Sequence, residues 1–426
     1  MKHGPTLAHS LSHHSSKRFS SAWLLASLAL LAAAPLGCGN DNEKDEDGGG
    51  GAGGNAATTE DPKYVVGSVV FSPEGETSYL NIVDSLEPQT LDYEKALELP
   101  GWADLWTHEG FLYVTSRENS TVTKYTITDA NDFVEEGKIS FTGYGEVDVA
   151  FWSNTFVAAD KAYMINGTGN YVIWNPLTLE ITGELELPEL PEHAPFLLRA
   201  GTLDRSNVIR DGKLYQPMYW SDADYAQFSP DSRVVVIDIA TDSVDEVIDV
   251  PCAGIDIGTK DDDDNLYFST WTSGVYEPLL LGADPNCVAK IAAGENTATN
   301  GFTYADIAEG REGAAVRGFR DGRLLLSIFY DEKVDFTAED ADPWELLGGS
   351  NWRTWLYDPA DGSAEEVAEL DWNSGATYVF PIDELHYVLV PSTDYAATTV
   401  VALDADLKAT PAFDLQGWGT RLFKLR

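Results

Sequence analysis

One turn recurs along this chain and constrains its fold more than any other feature. It is plainest in Ala315–Ile328, where an apolar run enters Asp321-Gly322 and a second apolar run leaves it. Asp-Gly between two such runs marks a tight β-hairpin, because glycine accepts the positive φ the turn requires. The same grammar, an acidic residue followed by an apolar residue and Tyr, returns at Glu109–Tyr113, Asp211–Tyr215 and Asp263–Tyr267. Looser copies lie at Ala159–Tyr163 and Asp383–Tyr387, and at Asp321 itself Leu325 takes the place of Tyr. Positions 113, 163, 215, 267, 325 and 387 are spaced by 50, 52, 52, 58 and 62 residues. A period of this size with several strands per unit predicts a β-propeller.

A second turn signal sits between the third and fourth strands of the units, at Asn175, Asp238, Asp358 and Asp404. Asp and Asn cap such turns by hydrogen bonding to the backbone two residues on. Strands are expected throughout Pro62–Arg426, with a poorly patterned stretch near Phe302–Ile307. The last residues, Thr420–Arg426, read as an inner strand with no hairpin after it. The strands from Tyr64 read as outer strands with no inner one before them. Joined, they complete a blade and remove a free sheet edge. The prediction is an all-β, seven-bladed propeller of four-stranded antiparallel blades, with the terminal blade closed by the N- and C-terminal strands.

The chain before this domain reads as an address. Lys2, Lys17 and Arg18 precede the apolar run Ala22–Ala34, which is shorter than a membrane-spanning helix. Pro35-Leu36-Gly37-Cys38 then resembles a bacterial lipoprotein signal, although Pro35 stands where Leu is usual. Residues 1–37 are read as the signal peptide. Cys38 is read as the lipidated residue, at the head of a flexible Gly-rich and acidic tether over 38–61. The propeller would then occupy 62–426, held by its lipid outside the cytoplasm, in the periplasm or at the outer membrane. A monomer is expected. An ordinary cleaved signal is the alternative. Two further cysteines, Cys252 and Cys287, fall in one repeat, and a disulfide between them fits an oxidising compartment.

With 27 basic against 70 acidic residues and a formal charge of −43, nucleic acid is excluded as a partner, and membrane contact is expected through the anchor only. Three histidines, His108, His193 and His386, follow Cys38, and they lie in different units. Neither a metal centre nor a cofactor is expected, and no nucleophile elbow or phosphate loop stands in a supporting context. The run Asp261–Asp264 falls on a repeated hairpin turn and lacks the rest of a calcium loop.

Candidate site residues come from the loops that enter each inner strand. Gly101-Trp102 and Gly417-Trp418 hold equivalent places, with Tyr144, Phe302 and Trp372 at comparable ones. Arg205, Arg317 and Arg421 start or enter inner strands, and Arg199 is nearby. Arginines ringed by Trp102, Trp372 and Trp418 would suit a flat anionic ligand, through guanidinium forks and ring stacking. The competing reading packs Trp between blades and pairs Arg with Asp104, Asp204 or Asp256.

The repeat grammar resembles that of seven-bladed propellers with YVTN and quinoprotein-like repeats. The leader, tether and Gly417-Trp418-Gly419-Thr420-Arg421-Leu422 region resemble the MxcI-like proteins of myxobacterial siderophore clusters. That resemblance implies a binding protein for iron–siderophore handling, whose ligand is a small aromatic anion. Two alternatives stay open: a scaffold that docks envelope proteins, and a propeller enzyme of lactonase, lyase or quinoprotein type. Catalytic residues are not identified, and binding is favoured over catalysis.

Overall fold

The computed structural model describes residues 61–145, 151, 153–166, 169–202, 207–335 and 348–426. Seven small antiparallel sheets stand in a ring as the blades of a propeller. Blade 1 is the closure blade. Its inner strand, Trp418–Lys424, pairs with Tyr64–Ser72, which pairs in turn with Gly75–Val83 and Leu97–Pro100. The inner strands of blades 2 to 7 include Ala103–His108, Asn154–Ala158, Leu197–Ala200, Ile257–Lys260, Gly313–Gly318 and Tyr378–Ile382. In blade 4 the inner edge is split. Leu197–Ala200 pairs with the far half of Lys213–Ser221 and Val208–Arg210 with its near half. Arg199 therefore belongs to an inner strand and not to a loop beside one.

Burial explains why the second strands carry the clearest sequence signal. Leu324–Phe329 is buried at every position, because neighbouring blades cover both faces of the sheet. The outer strand Glu180–Leu185 alternates exposed and half-buried residues up to Leu185. The hairpin turns have the conformation the sequence requires. Glu109 and Gly110, Asp211 and Gly212, and Asp321 and Gly322 all have φ between 50° and 75°. Asp238 accepts Ala240 N and Thr241 N, each at 2.9 Å, and Asp404 accepts Asp406 N and Lys408 N, also at 2.9 Å.

In three of its copies the recurring Tyr joins blades. Tyr113 of blade 2 donates its hydroxyl to Pro176 O in the turn of blade 3 at 2.9 Å. Tyr163 of blade 3 donates to Asp242 of blade 4, and Lys161 donates to the same carboxylate. Tyr215 of blade 4 donates to Asn296 of blade 5 at 3.3 Å. Burial and the Asp242 carboxylate both hold the Tyr163 phenol protonated far above the ordinary tyrosine range. Lys63 does the same work between blades 1 and 2. Its buried ammonium donates to Asp84, to Asp129 O and to Asn131.

Two details differ from the sequence expectation. The stretch near Phe302 resolves into an outer strand, Ala298–Thr303, and a helical turn, Tyr304–Ile307. Thr303 caps that turn by accepting Asp306 N. The lengthened spacings of 58 and 62 residues come from long excursions between second and third strands, after Ser269 in blade 5 and after Phe329 in blade 6. These excursions emerge on the face that also carries the loops into the inner strands, called here the upper face.

Candidate functional site

Gly-Trp is a repeated structural unit. Gly101 and Gly417 have φ of 71° and 75°, and each turns the chain from an outer strand into the next inner one. At Gly417 a Cβ would lie 2.2 Å from Val69 O, so no other residue fits. A hydroxyl of the third strand clamps each unit. Ser78 Oγ donates to Gly101 O and accepts Ala103 N, while Thr398 Oγ1 donates to Gly417 O and accepts Gly419 N. The two indoles are thereby aimed at each other, with ring centres 5.0 Å apart in an edge-to-face arrangement.

From this pair an aromatic arc runs along the upper end of the channel. Trp418 stacks near-parallel on Tyr378 at 6.0 Å, and Tyr378 stacks on Trp271 at 5.9 Å. Tyr395 flanks Trp418 at 5.3 Å. At the other end Arg117 lies over both Trp102 and Phe151, at 5.1 and 5.2 Å. Two guanidiniums of the inner strands join the arc. Arg421 Cζ is 5.3 Å from the Tyr378 ring and Arg317 Cζ is 5.5 Å from the Trp271 ring. Trp102 and Tyr378 are buried, whereas Trp271, Trp418 and Tyr395 keep part of their surface in solvent. The arrangement offers ring faces and guanidinium planes in alternation, the chemistry that holds flat π-systems and anions.

The structure sorts the residues expected from sequence into three groups. Trp102, Trp418, Arg317 and Arg421 belong to the arc. Arg421 is committed to Asp104 in a bidentate ion pair, with Nε–Oδ1 at 2.6 Å and Nη2–Oδ2 at 3.2 Å. Arg199 lies apart in blade 4, where it donates to Ser221 Oγ and covers the ring of Tyr225 at 4.5 Å. Trp372 stands in a separate cluster on blade 6. Lys333 Nζ lies 3.3 Å from its ring centre and Arg353 Cζ 5.0 Å from it, and Arg353 also pairs with Glu366. Arg205 and Cys38 lie outside the described residues, as does Asp204. Phe302 is no rim residue. It is buried in its strand against Tyr357, at 4.3 Å between ring centres.

Sequence reasoning missed Trp271, Tyr378, Arg117 and Phe151. Trp271 opens the blade 5 excursion, and no repeat marks such an insertion. Tyr378 heads an inner strand and was the legible one, since the heads of inner strands had already been singled out.

Cys252 and Cys287 form a disulfide with Cα atoms 5.6 Å apart, tying the loop before the blade 5 inner strand to that blade's third strand. The Asp261 carboxylate is filled by its own turn. It accepts Asp263 N, both nitrogens of Asn265 and the Tyr267 hydroxyl. Among the described residues no three His, Cys, Asp or Glu side chains converge as metal ligands.

The sequence matches no protein-family model and no curated protein. Similar folds occur among solved structures. Apo AztD from Citrobacter koseri shares 13% identity at a TM-score of 0.45, over 85% of this chain and 98% of that one. BamB from Moraxella catarrhalis shares 10% at 0.43, over 76% and 78%. A quinoprotein alcohol dehydrogenase-like protein from Bacteroides thetaiotaomicron shares 10% at 0.46, over 84% and 78%. Likeness at this distance concerns the propeller architecture and carries no function with it.

Proposed function

We propose that this propeller is an extracytoplasmic binding protein that takes a flat, aromatic, anionic ligand at the upper end of its channel. The observation that carries the reading is the run Trp102–Trp418–Tyr378–Trp271 with Arg317 and Arg421 set against its rings. In a chain of net charge −43, guanidiniums gathered among indoles at one channel end temper the prevailing negative field, with the charge of Arg421 balanced by Asp104. An anion reaching this end meets guanidinium planes and ring faces side by side.

The finer assignment is a ferric catecholate, a planar aromatic polyanion, which agrees with the resemblance of the leader and terminal region to MxcI-like proteins. A lipid on Cys38 and the tether after it would hold the domain near a membrane in the cell envelope. In that case Cys38→Ala releases the protein into the soluble envelope fraction, and a variant that stays membrane-bound in high salt rejects the anchor.

The binding test is calorimetric titration with a ferric catecholate and its iron-free analogue. Arg317→Ala should weaken binding by about 1.5–3 kcal/mol, the worth of a buried charged hydrogen bond. Trp271→Ala should weaken it separately, through lost stacking. Unchanged affinity in both folded variants would leave the arc as blade packing and put the envelope scaffold first.

A further inference from the structure

We infer a second, separate binding site on the lower face, at the seam between blades 1 and 2, for a neutral polyhydroxylated molecule of monosaccharide size. A cavity of about 230 Å³ lies there, between the loop that follows Val83 and the blade 2 turn at Asn131. Its volume falls below the ~300–1,000 Å³ of drug-sized sites and exceeds single-water voids several times over.

The lining decides the class of ligand. Asn81, Gln89, Ser85 and Thr90 line it with amides and hydroxyls, groups that both donate and accept. Gln89 Nε2 donates to Ser85 O and Ser85 Oγ accepts Glu87 N, while the Asn131 amide is taken by Lys63 and Asp84. Leu91 and the Ile82-Val83 segment supply apolar surface alongside them. Amides and hydroxyls beside aliphatic carbon match a sugar or cyclitol, which has hydroxyl edges and a C–H face.

The charges argue against an ionic ligand. Asp84, an exposed member of the lining, already accepts the Lys63 ammonium through Oδ1 at 2.7 Å and the Asn131 amide through Oδ2 at 3.4 Å. Lys63 holds its carboxyl below the ordinary aspartate range, so it stays ionised and paired. Asp92 caps its own helical turn by accepting Glu94 N. Lys95 supplies one cation on the same loop. The cavity thus offers carboxylates that are engaged and a single lysine, and no surplus charge of either sign. Lys63, which lies behind the lining and holds Asp84 and Asn131, is 3% exposed, and its backbone continues the pairing of the closure blade through Arg426 O and Leu425 N. Lining residues held in place before binding lower the ordering cost of taking a small ligand.

The experiment is ligand-observed saturation-transfer NMR on the full chain. The neutral probes are glucose, N-acetylglucosamine and myo-inositol, and glycine betaine, a zwitterion without hydroxyls, is the comparator. At least one neutral probe should bind saturably. Thr90→Trp fills the cavity from an exposed position and should weaken that binding by more than about tenfold, or about 1.4 kcal/mol. Gln89→Ala, which leaves the backbone path open, should weaken it roughly two- to tenfold. Trp271→Ala on the upper face should leave it unchanged, which separates this site from the channel. Binding of betaine alone, binding that both lower-face variants leave intact while they melt like wild type, or no saturable binding of any probe would overturn the assignment.

Discussion

Breaking the Arg421–Asp104 pair tests whether the channel is held together by its own charges. Both side chains are almost wholly withdrawn from water, at 4% and 3% exposure, and they meet through two contacts at 2.6 and 3.2 Å. Asp104 Oδ1 also accepts Leu105 N, and Arg421 Nη1 donates to Thr420 O at 2.8 Å. At about 3 Å and an effective dielectric of 20 the attraction is roughly 5–6 kcal/mol, most of it offset by the desolvation of two ions. The net worth of the intact pair is therefore small, while removing one partner strands a buried charge at about 3–5 kcal/mol. Asp104→Asn keeps the shape and deletes the charge. At roughly 1.3 °C per kcal/mol for a domain of about 365 residues, the melting temperature should fall by roughly 4–7 °C. The double variant Asp104→Asn, Arg421→Met removes the stranded guanidinium and should recover part of the loss. Thermal unfolding followed by circular dichroism reads both. A fall below about 2 °C in the single variant, or a double variant that loses the sum of both singles, would refute the pairing as a source of stability.

Three further outcomes follow from the closure blade, the latches and a buried histidine. Deleting Thr420–Arg426 removes the inner strand of blade 1 with Leu422, Phe423 and Leu425 of its core, and should abolish cooperative unfolding or cause aggregation; a truncated chain melting like wild type would exclude closure by the two termini. Tyr163→Phe deletes a hydroxyl that reaches a carboxylate of the next blade, and a loss of about 1.5–3 kcal/mol in denaturant titration is expected, against none if the contact is incidental. His386 is buried against Phe319, and burial first, then Arg320, lowers its pKa to about 4, with Asp262 opposing. Its unfolded value is higher, so its contribution is complete above pH ~6.5, is lost as pH falls toward 4 and is constant below that. An NMR midpoint near 6.5 for its Cε1 proton would contradict this.

The fold was legible because its grammar is local. Each Asp-Gly or Glu-Gly turn needs two residues at positive φ, and few sequences meet that requirement. Three such turns and three looser copies, at spacings of 50 to 62 residues, then leave little besides a propeller. The reason for Tyr after three of the turns was not legible. At Tyr113, Tyr163 and Tyr215 the hydroxyl works across a blade boundary, on Pro176, Asp242 or Asn296, and those partners are some 60 to 80 residues further along the chain, whereas Tyr267 turns back on Asp261. The split inner edge of blade 4 was hidden for a similar cause, since pairing of Leu197–Ala200 with Met218–Ser221 leaves no periodic mark.

The candidate site shows where repeat reading stops. Repeats identify what every blade has, whereas a site is built from what single blades add. Gly101-Trp102 and Gly417-Trp418 could be found because they are copies of one unit, and that same copying accounts for them structurally: a hydroxyl clamp, a glycine turn and an indole laid on its neighbour. Trp271 is different. It heads an excursion that blade 5 has and blade 2 does not, and it comes to rest 5.9 Å from a ring of blade 7 and within 5.5 Å of a guanidinium of blade 6. A residue carried across three blades by an insertion, with no repeat partner to imitate, is the part of the arc least explained by the needs of the fold. Function on this scaffold is therefore better probed at Trp271 than at either Gly-Trp pair, because a loss at Trp102 or Trp418 would mix binding with the closure of the ring.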